Sequence, residues 1–219
     1  IDKRLLTSVN TIQFNGSGGS IYLNEIDDLR IDNMTTSLAQ MIDITLGGDL
    51  SSSGLLFYTG DLIVESKRGN ILLDKKNNFT GSLSLKTQGD IFLANDSTIR
   101  LAALSGNNVT LTSGSDITST GSVNVTGLAT LHSNGSTNLT SIDNNFNRVN
   151  MTSNGNVAIT DRNNLTIESI QAKGNVEISA AGPIVVANLC TDNCGTISAV
   201  KGDNVILKSG QSLRVEGAL

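Results

Sequence analysis

The chain has 219 residues, a length that suits one large domain or two small ones. Gly, Asn, Ser and Thr make up about 43% of it, while hydrophobic residues still account for 38%. Because this apolar content can close a core and the net charge is only -5, the composition disfavours a disordered tail. Aromatic residues contribute only 3% and there is a single His, so an ordinary enzyme with an apolar pocket and an acid/base site is disfavoured.

The charge balance and the hydropathy pattern limit the partners. Acidic residues outnumber basic ones by 20 to 15, so there is no electrostatic footprint for nucleic acid and no basic stripe for anionic lipid. No apolar stretch approaches the roughly 20 residues that a membrane-spanning helix requires. We therefore predict neither a nucleic-acid partner nor a membrane span, and no motif in the sequence predicts a cofactor.

The less regular part of the chain is its beginning, residues 1–60. Its one candidate helix, residues 34–44, carries several Thr residues and no sustained apolar stripe with a period of 3.6. We therefore predict strand and loop there. Because the chain starts at Ile1 in the middle of a pattern, we expect it to be a segment of a longer protein.

From Gly60 to Leu219 a short unit recurs, in which Gly is followed by Asn, Asp or Ser and then by apolar residues that alternate with polar ones. Alternation with period 2 over four or five residues, bounded by Gly, Asn or Asp, predicts a short strand with one buried face. Such units begin at Gly60, Gly69, Gly81, Gly89, Gly121, Gly155, Gly174 and Gly202.

The leading apolar residues of these units recur with a period near 20. Examples are the pairs Ile71 and Ile91, Ile91 and Val109, Val109 and Leu128, and Ile184 and Val205. A β-sandwich shares the alternation, but this longer period, the scarcity of aromatics and the uniform inward Val, Ile and Leu favour a β-solenoid. About 20 residues per coil predict roughly 11 coils, which form a rod about 50 Å long.

The G-N-V-x-Φ and G-D-I-x-Φ units (Φ, apolar), with this period and composition, resemble the repeats of filamentous-haemagglutinin-like bacterial exoproteins, which include the high-molecular-weight adhesins. The resemblance covers residues 60–219 well and residues 1–60 loosely. It implies that residues 1–219 form a single right-handed parallel β-helix segment, cut from a longer shaft. It also implies two-partner secretion through an outer-membrane partner and display at the bacterial cell surface. The only Pro is Pro183, so the segment lacks the Asn-Pro motifs that mark the secretion domain of such exoproteins.

This resemblance predicts an adhesin that attaches to a host-cell receptor, a glycan or a neighbouring cell. Two alternatives remain open. One is a structural extracellular fibre that self-associates end to end, since exposed coil ends can pair. The other is a β-helix polysaccharide lyase, which requires Asp with Lys or Arg on one sheet face. We expect a protein that is not an enzyme, and we assign no catalytic residue, no metal and no cofactor.

Two groups of polar residues have possible chemistry. Acidic residues cluster near the start, but no G-G-x-G-x-D nonapeptide accompanies them, so a calcium site is only an alternative. These residues are Glu25, Asp27, Asp28, Asp32, Asp43 and Asp49. The single His132 follows an apolar strand residue without a nucleophile-elbow motif, and we predict an exposed turn residue.

Ten Asn-x-Ser/Thr sequons are present, about twice the number that the composition predicts. They lie at Asn15, Asn33, Asn78, Asn95, Asn108, Asn124, Asn134, Asn138, Asn150 and Asn164. The resemblance to high-molecular-weight adhesins, whose sequons carry hexoses, makes them candidate glycosylation sites. In seven of them the middle residue is apolar, which is also the pattern of a turn Asn, an inward aliphatic residue and an outward Thr.

The repeat is interrupted at residues 24–50, 141–148 and 188–195, and insertions in solenoids map to loops that often bind partners. Phe146 and Arg148 in the second interruption are residue types enriched at binding hot spots, with a single inward Phe in an exposed turn as the alternative. Asp192 and Asn193 in the third interruption are further candidate binding residues.

The third interruption also holds Cys190 and Cys194, the only cysteines of the chain. In an extracellular protein a pair this close predicts a disulfide that pins a small loop. Free thiols and a metal site remain as alternatives. Because so short a loop has little chain entropy to lose, the disulfide would fix local shape rather than global stability.

Overall fold

The computed structural model describes residues 4–15, 18–36, 40–187 and 200–216, and within these ranges it contains 24 strands and no helix. The strands are β1 (Leu5–Thr7), β2 (Thr11–Asn15), β3 (Ile21–Glu25), β4 (Leu29–Thr36), β5 (Met41–Leu46), β6 (Leu50–Ser52), β7 (Phe57–Tyr58), β8 (Asp61–Ser66), β9 (Ile71–Phe79), β10 (Leu83–Lys86), β11 (Ile91–Asn95), β12 (Ile99–Gly106), β13 (Val109–Ser113), β14 (Ile117–Ser119), β15 (Val123–Ser133), β16 (Thr137–Leu139), β17 (Asn145–Ser153), β18 (Val157–Asp161), β19 (Leu165–Ala172), β20 (Val176–Ala180), β21 (Ile184–Ala187), β22 (Val200–Lys201), β23 (Val205–Ser209) and β24 (Leu213–Glu216).

All strand pairings of the described residues are parallel, and each strand pairs with strands about one turn earlier or later in the chain. The fold is therefore a parallel β-solenoid of about nine turns with roughly 20 residues per turn. This confirms the fold class, although about nine turns replace the expected 11. At the usual strand spacing of about 4.8 Å, nine steps correspond to a rod of about 43 Å.

One column of apolar side chains runs in register through the core. It consists of Leu29, Leu50, Ile71, Ile91, Val109, Ala129, Val149, Ile167 and Val186, all of them buried. Successive members are one turn apart, because each turn brings the same strand position back above the previous one. The next strand position in this column is Val215, and the interval from Val186 to Val215 is the longest, so the last turn is the longest one.

The register confirms some of the expected partners and corrects others. Ile91 pairs with Ile71 and with Val109, as predicted. Val109, however, pairs with Ala129 rather than Leu128, because an irregularity in β15 shifts its register before that point. Ile184 pairs with Leu213 rather than Val205, because the long last turn moves the partner further along the chain.

The described part of the expected interruption at residues 24–50 lies within regular turns. Strands β4, β5 and β6 continue the stack, with Leu29 opposite Leu50 on the next turn. Residues 34–36 and 41–44 belong to β4 and β5, which confirms strand rather than helix for these parts of the candidate helix. The described part of residues 18–60 therefore shares the architecture of the later repeats.

The core accepts more aromatic side chains than the composition suggested. Phe14, Tyr58, Phe79 and Phe146 are all buried, which accounts for four of the seven aromatic residues. Burial raises the pKa of Tyr58 to about 12. The narrow solenoid therefore contains large side chains at isolated positions, between layers that are otherwise aliphatic.

Small residues are required where consecutive turns approach closely. At Gly121 an added Cβ atom would lie 1.9 Å from the carbonyl oxygen of Ala102 on the preceding turn. Gly54 is the contrasting case, since no heavy atom lies within 4 Å of the corresponding position. Some glycines of the chain are thus fixed by packing between turns, and others are not.

Candidate binding surfaces

One corner of the solenoid is stabilised by a ladder of Asp and Asn side chains. In each step a side-chain oxygen accepts the backbone N–H of a residue on the next turn, at distances of 2.6 to 3.0 Å. The acceptors are Asp28, Asp49, Asn70, Asp90 and Asn108, and the last of them accepts the N–H of Leu128. Each side-chain oxygen takes the place of a water molecule at a backbone N–H of the turn, so the ladder fixes the conformation of the corner. Because these Asp and Asn oxygens already accept hydrogen bonds, they have little capacity left to bind a ligand.

A second set of amide and carboxylate side chains is buried inside the corners. Asn77, Asn95, Asn144 and Asp161 are each at most 2% exposed, and each accepts a backbone N–H of the preceding turn. The donors are Leu56, Phe79, Val123 and Phe146, at 2.7 to 3.0 Å. Each of these side chains supplies a partner to a buried N–H group that would otherwise cost about 1–3 kcal/mol. In this way they link consecutive turns from within the solenoid.

Among these side chains, Asp161 is the only carboxylate. Burial raises the pKa of Asp161, although the N–H groups of Phe146 and Asn163 act in the opposite direction. Sequence reasoning missed this buried set, because the sequence places Asn95 in a sequon and Asn144 in an interruption of the repeat.

The sequons follow the strand pattern closely. In the seven with an apolar middle residue, that residue is buried in every case: Met34, Phe79, Val109, Val125, Leu139, Met151 and Leu165. Their Asn residues therefore lie next to an inward position, as the alternative interpretation predicted. This geometry explains the pattern of the sequence and leaves glycosylation itself a prediction.

The ten sequon Asn side chains differ in accessibility. Asn95 is buried, and its Oδ1 accepts the N–H of Phe79 at 2.7 Å. Asn33, Asn78, Asn124 and Asn150 are half-buried, whereas Asn15, Asn108, Asn134, Asn138 and Asn164 are exposed. Since a glycosyltransferase needs access to the amide nitrogen, the exposed group contains the better acceptors.

The acidic residues near the start do not converge on a common point. Arg4 forms a bidentate ion pair with Asp43, at 2.9 and 2.5 Å, and Arg30 contacts Asp32 at 2.8 Å. The bond from Arg30 is the main cause that lowers the pKa of Asp32. Among the described residues there is no group of three or more His, Cys, Asp or Glu side chains arranged to hold a metal ion.

Glu25 is a buried carboxylate, only 1% exposed. Its oxygens accept the hydroxyl of Thr7 at 2.7 Å and the N–H groups of Val9 at 3.1 Å and Ile26 at 2.9 Å. Burial tends to raise the pKa of Glu25, but these three hydrogen bonds, together with a hydrogen bond to the side chain of Asp27, outweigh it and leave the pKa lowered. Glu25 therefore holds the first described turn against the second.

Asp27 lies beside Glu25 and has the opposite shift. Its pKa is raised, first by desolvation and then by the hydrogen bond and the charge of Glu25. The two carboxyl groups, two residues apart in the chain, thus interact with each other.

His132 lies in strand β15, between Thr112 and Thr152 of the neighbouring turns. Its side chain is exposed, as predicted, but it belongs to a strand rather than to a turn.

The two candidate hot-spot residues of the second interruption have different environments. Phe146 is fully buried in β17 and cannot contact a partner at the surface, so the inward Phe of the alternative interpretation is the correct one. Arg148 is exposed and forms an ion pair with Glu168 on the next turn. The exposed apolar residue of this segment is Ile142, at 76%.

Cys190, Cys194, Asp192 and Asn193 lie outside the described residues, so the disulfide and the third candidate loop stay predictions. Over the described ranges, no helix is long and apolar enough to cross a membrane.

Comparison with known proteins identifies a repeat family. A family described as repeats of unknown function (DUF5649) matches residues 18–86 and 88–153. These two segments include the ladder from Asp28 to Asn108 and most of the buried polar residues. No curated protein and no solved structure matches the chain.

Proposed function

The matched segments cover more than half of the chain, which therefore belongs to the family of repeats of unknown function (DUF5649). Since this family has no known function, we propose one from the architecture of the chain. We propose that it is a shaft segment of a bacterial surface exoprotein of the filamentous-haemagglutinin-like type. The shaft would carry adhesive surfaces to a host cell, a glycan or a neighbouring cell, and it performs no catalysis. The full protein would leave the cell through an outer-membrane secretion partner.

The observation that supports this proposal is the continuity of the stack. Nine strand positions from Leu29 to Val186 lie in one register, and side chains of the corners link consecutive turns by hydrogen bonds. A structure with so many parallel contacts between turns resists bending. Its outward Thr, Ser and Asn residues can bond to water and to polar ligands along its length.

A binding experiment tests the adhesive part of the proposal. We expect the purified chain to bind to cells or to an array of immobilised glycans in a saturable manner. Sedimentation velocity of the same sample separates this from the fibre alternative. Polymerisation without binding to cells or glycans would contradict adhesion and favour the fibre.

A labelling experiment tests the location. An antibody against the purified chain should label intact cells of the source organism, and deletion of the outer-membrane secretion partner should abolish the labelling. Labelling that requires cell permeabilisation would refute surface display.

Intact mass of protein purified from the native source would reveal sugars and the Cys190–Cys194 disulfide together, each as a defined mass difference.

A further inference from the structure

A shallow trough runs along one face of the solenoid, parallel to its axis. Its floor is a column of outward side chains in register, with a lysine at each end. The column consists of Lys76, Ala94, Thr112, His132, Thr152, Gln171 and Lys201. We call it the lysine-ended column. Its six steps correspond to about 29 Å at the usual strand spacing of about 4.8 Å.

The trough consists of two adjoining hollows of about 290 and 360 Å³. Thr152 and Asn154 line both hollows, so the two are continuous. Turn residues form the wall on one side; they include Asp96, Asn134 and Lys173. The shape suits an extended chain rather than a compact small molecule.

The charges of the trough differ from those on other faces. Elsewhere, exposed Lys86 and Lys208 form ion pairs with glutamates on the preceding turn, at 2.9 and 2.6 Å. In contrast, Lys76, Lys173 and Lys201 form no ion pair with a carboxylate of any described residue. The carboxylates of Asp96 and Asp203 also line the trough, so its three lysines against two aspartates leave a net charge of +1 in a chain whose net charge is -5.

The polar groups of the trough are also available to a ligand. The side chains of Thr112, His132, Asn134, Thr152 and Asn154 are exposed, and none forms a hydrogen bond with another described residue. This contrasts with the corner ladder, where the Asp and Asn side chains bond to the next turn. Hydroxyl, amide and imidazole groups spaced by one strand separation can bond to successive hydroxyls of a sugar chain.

We propose that this trough binds a linear acidic polysaccharide that lies along the solenoid axis. Carboxylate or sulfate groups of the polysaccharide would contact Lys76 at one end and Lys173 and Lys201 at the other. The sugar hydroxyls would bond to the Thr, Asn and His side chains between them. The inference rests on the proposed adhesive function and names the class of its partner.

An extended peptide fits less well, because peptides that bind to sheets add a strand at an open edge. The backbone groups of this face belong to strands that already pair on both sides. Only side chains are therefore available, and their spaced hydroxyl and amide groups match the many hydroxyls of a sugar chain.

Calorimetric titration of the full chain tests the proposal with four probes. Hexagalacturonate carries carboxylates and a sulfated dextran oligosaccharide carries sulfates, whereas maltohexaose is neutral and hexaglutamate is an acidic peptide. We expect at least one acidic saccharide to bind more tightly than both maltohexaose and hexaglutamate, with an affinity that falls as salt is added. Equal binding of hexaglutamate, or no preference for either acidic saccharide over maltohexaose, would overturn the proposal.

Charge-removing variants locate the site. Lys76→Gln, Lys173→Gln and Lys201→Gln should each weaken binding about two- to fivefold, as the loss of one exposed charge contact predicts. Lys67→Gln is the matched control, since Lys67 is exposed, has no ion pair with a described residue and lies outside the trough. If it weakens binding as much as the trough variants, the site is elsewhere. Thermal unfolding of all four variants checks that each of them is folded.

Cell binding separates this inference from the proposed function. If the wild-type chain and the triple lysine variant bind equally to cells, adhesion stands and the trough is not its site. If the chain binds the acidic saccharide but no cell type, the trough stands and the adhesive function fails.

Discussion

Replacement of Asn144 by Ala tests whether buried side chains hold the turns together. Asn144 is fully buried and forms three hydrogen bonds that join three consecutive turns. Its Oδ1 accepts the N–H of Val123 on the turn before, and its Nδ2 donates to the carbonyls of Leu139 and Thr160, at distances of 2.8, 2.8 and 3.1 Å. The substitution removes all three bonds at a place that solvent does not reach.

The expected cost follows from the groups left without this partner. Each buried polar group without a hydrogen bond costs about 1–3 kcal/mol. The unpaired N–H of Val123 should contribute most to the lost stability, because its single hydrogen is left without any acceptor. The carbonyl oxygens of Leu139 and Thr160 each have two lone pairs and can keep another hydrogen bond. Allowing for non-additivity, we expect a loss of about 2–5 kcal/mol in the free energy of unfolding. This is a large part of the roughly 5–15 kcal/mol typical of a domain.

Guanidinium unfolding followed by circular dichroism measures the total loss, and hydrogen exchange locates it. The amide of Val123 should exchange much faster in Asn144→Ala, and amides two or more turns away should change less, because solenoids are stabilised between neighbours. Asn138→Ala is the matched control, since Asn138 is exposed and, among the described residues, its amide accepts only the hydroxyl of Thr140, at 3.1 Å. Equal losses in the two variants would refute the reasoning.

Three further predictions concern stability and modification. Glu25→Gln should destabilise the chain by about 1–3 kcal/mol at pH 7, because an amide nitrogen cannot accept the bonds that the carboxylate accepts. Since the folded pKa of Glu25 is lowered, the difference should shrink as the pH falls below about 4.5, and a constant difference in unfolding experiments would contradict it. Gly121→Ala should cost about 1–3 kcal/mol through the close contact between turns, whereas Gly54→Ala should be neutral or stabilise by up to about 1 kcal/mol, as thermal unfolding would show. Peptide mapping of native protein by mass spectrometry should find sugars at exposed sequons such as Asn134 and none at buried Asn95; a sugar at Asn95 would refute the role of accessibility.

The fold was predictable because its main signal is local. Alternation over a few residues identifies a strand, and a period near 20 places Ile71 below Ile91 and Ile91 below Val109. The predicted pairing of Val109 with Leu128 was wrong, because the next inward residue is the small Ala129. An Ala has too little apolar surface to mark an inward position from sequence alone.

The surfaces were less predictable, because they depend on which turns face each other. Lys76, Lys173 and Lys201 lie far apart in the chain, and only the register brings them to one trough. Phe146 and Asn144 appeared to belong to a loop, since Asn-rich sequence predicts turns. Their burial follows from contacts with the turns before and after, which no local pattern reveals.

The unequal length of the turns bears on how such a chain can change in evolution. The residues of the apolar column keep their register although the turns up to Val186 differ slightly in length. The last turn, which ends at Val215, is much longer, and it too keeps this register. Insertions and deletions at corners therefore leave the aliphatic column intact. Loss or duplication of a whole turn would also bring compatible turns into contact, since each turn presents the same kinds of apolar side chain to the turn before it and the turn after it. Recombination between repeats could thus change the length of the solenoid and leave its cross-section unchanged.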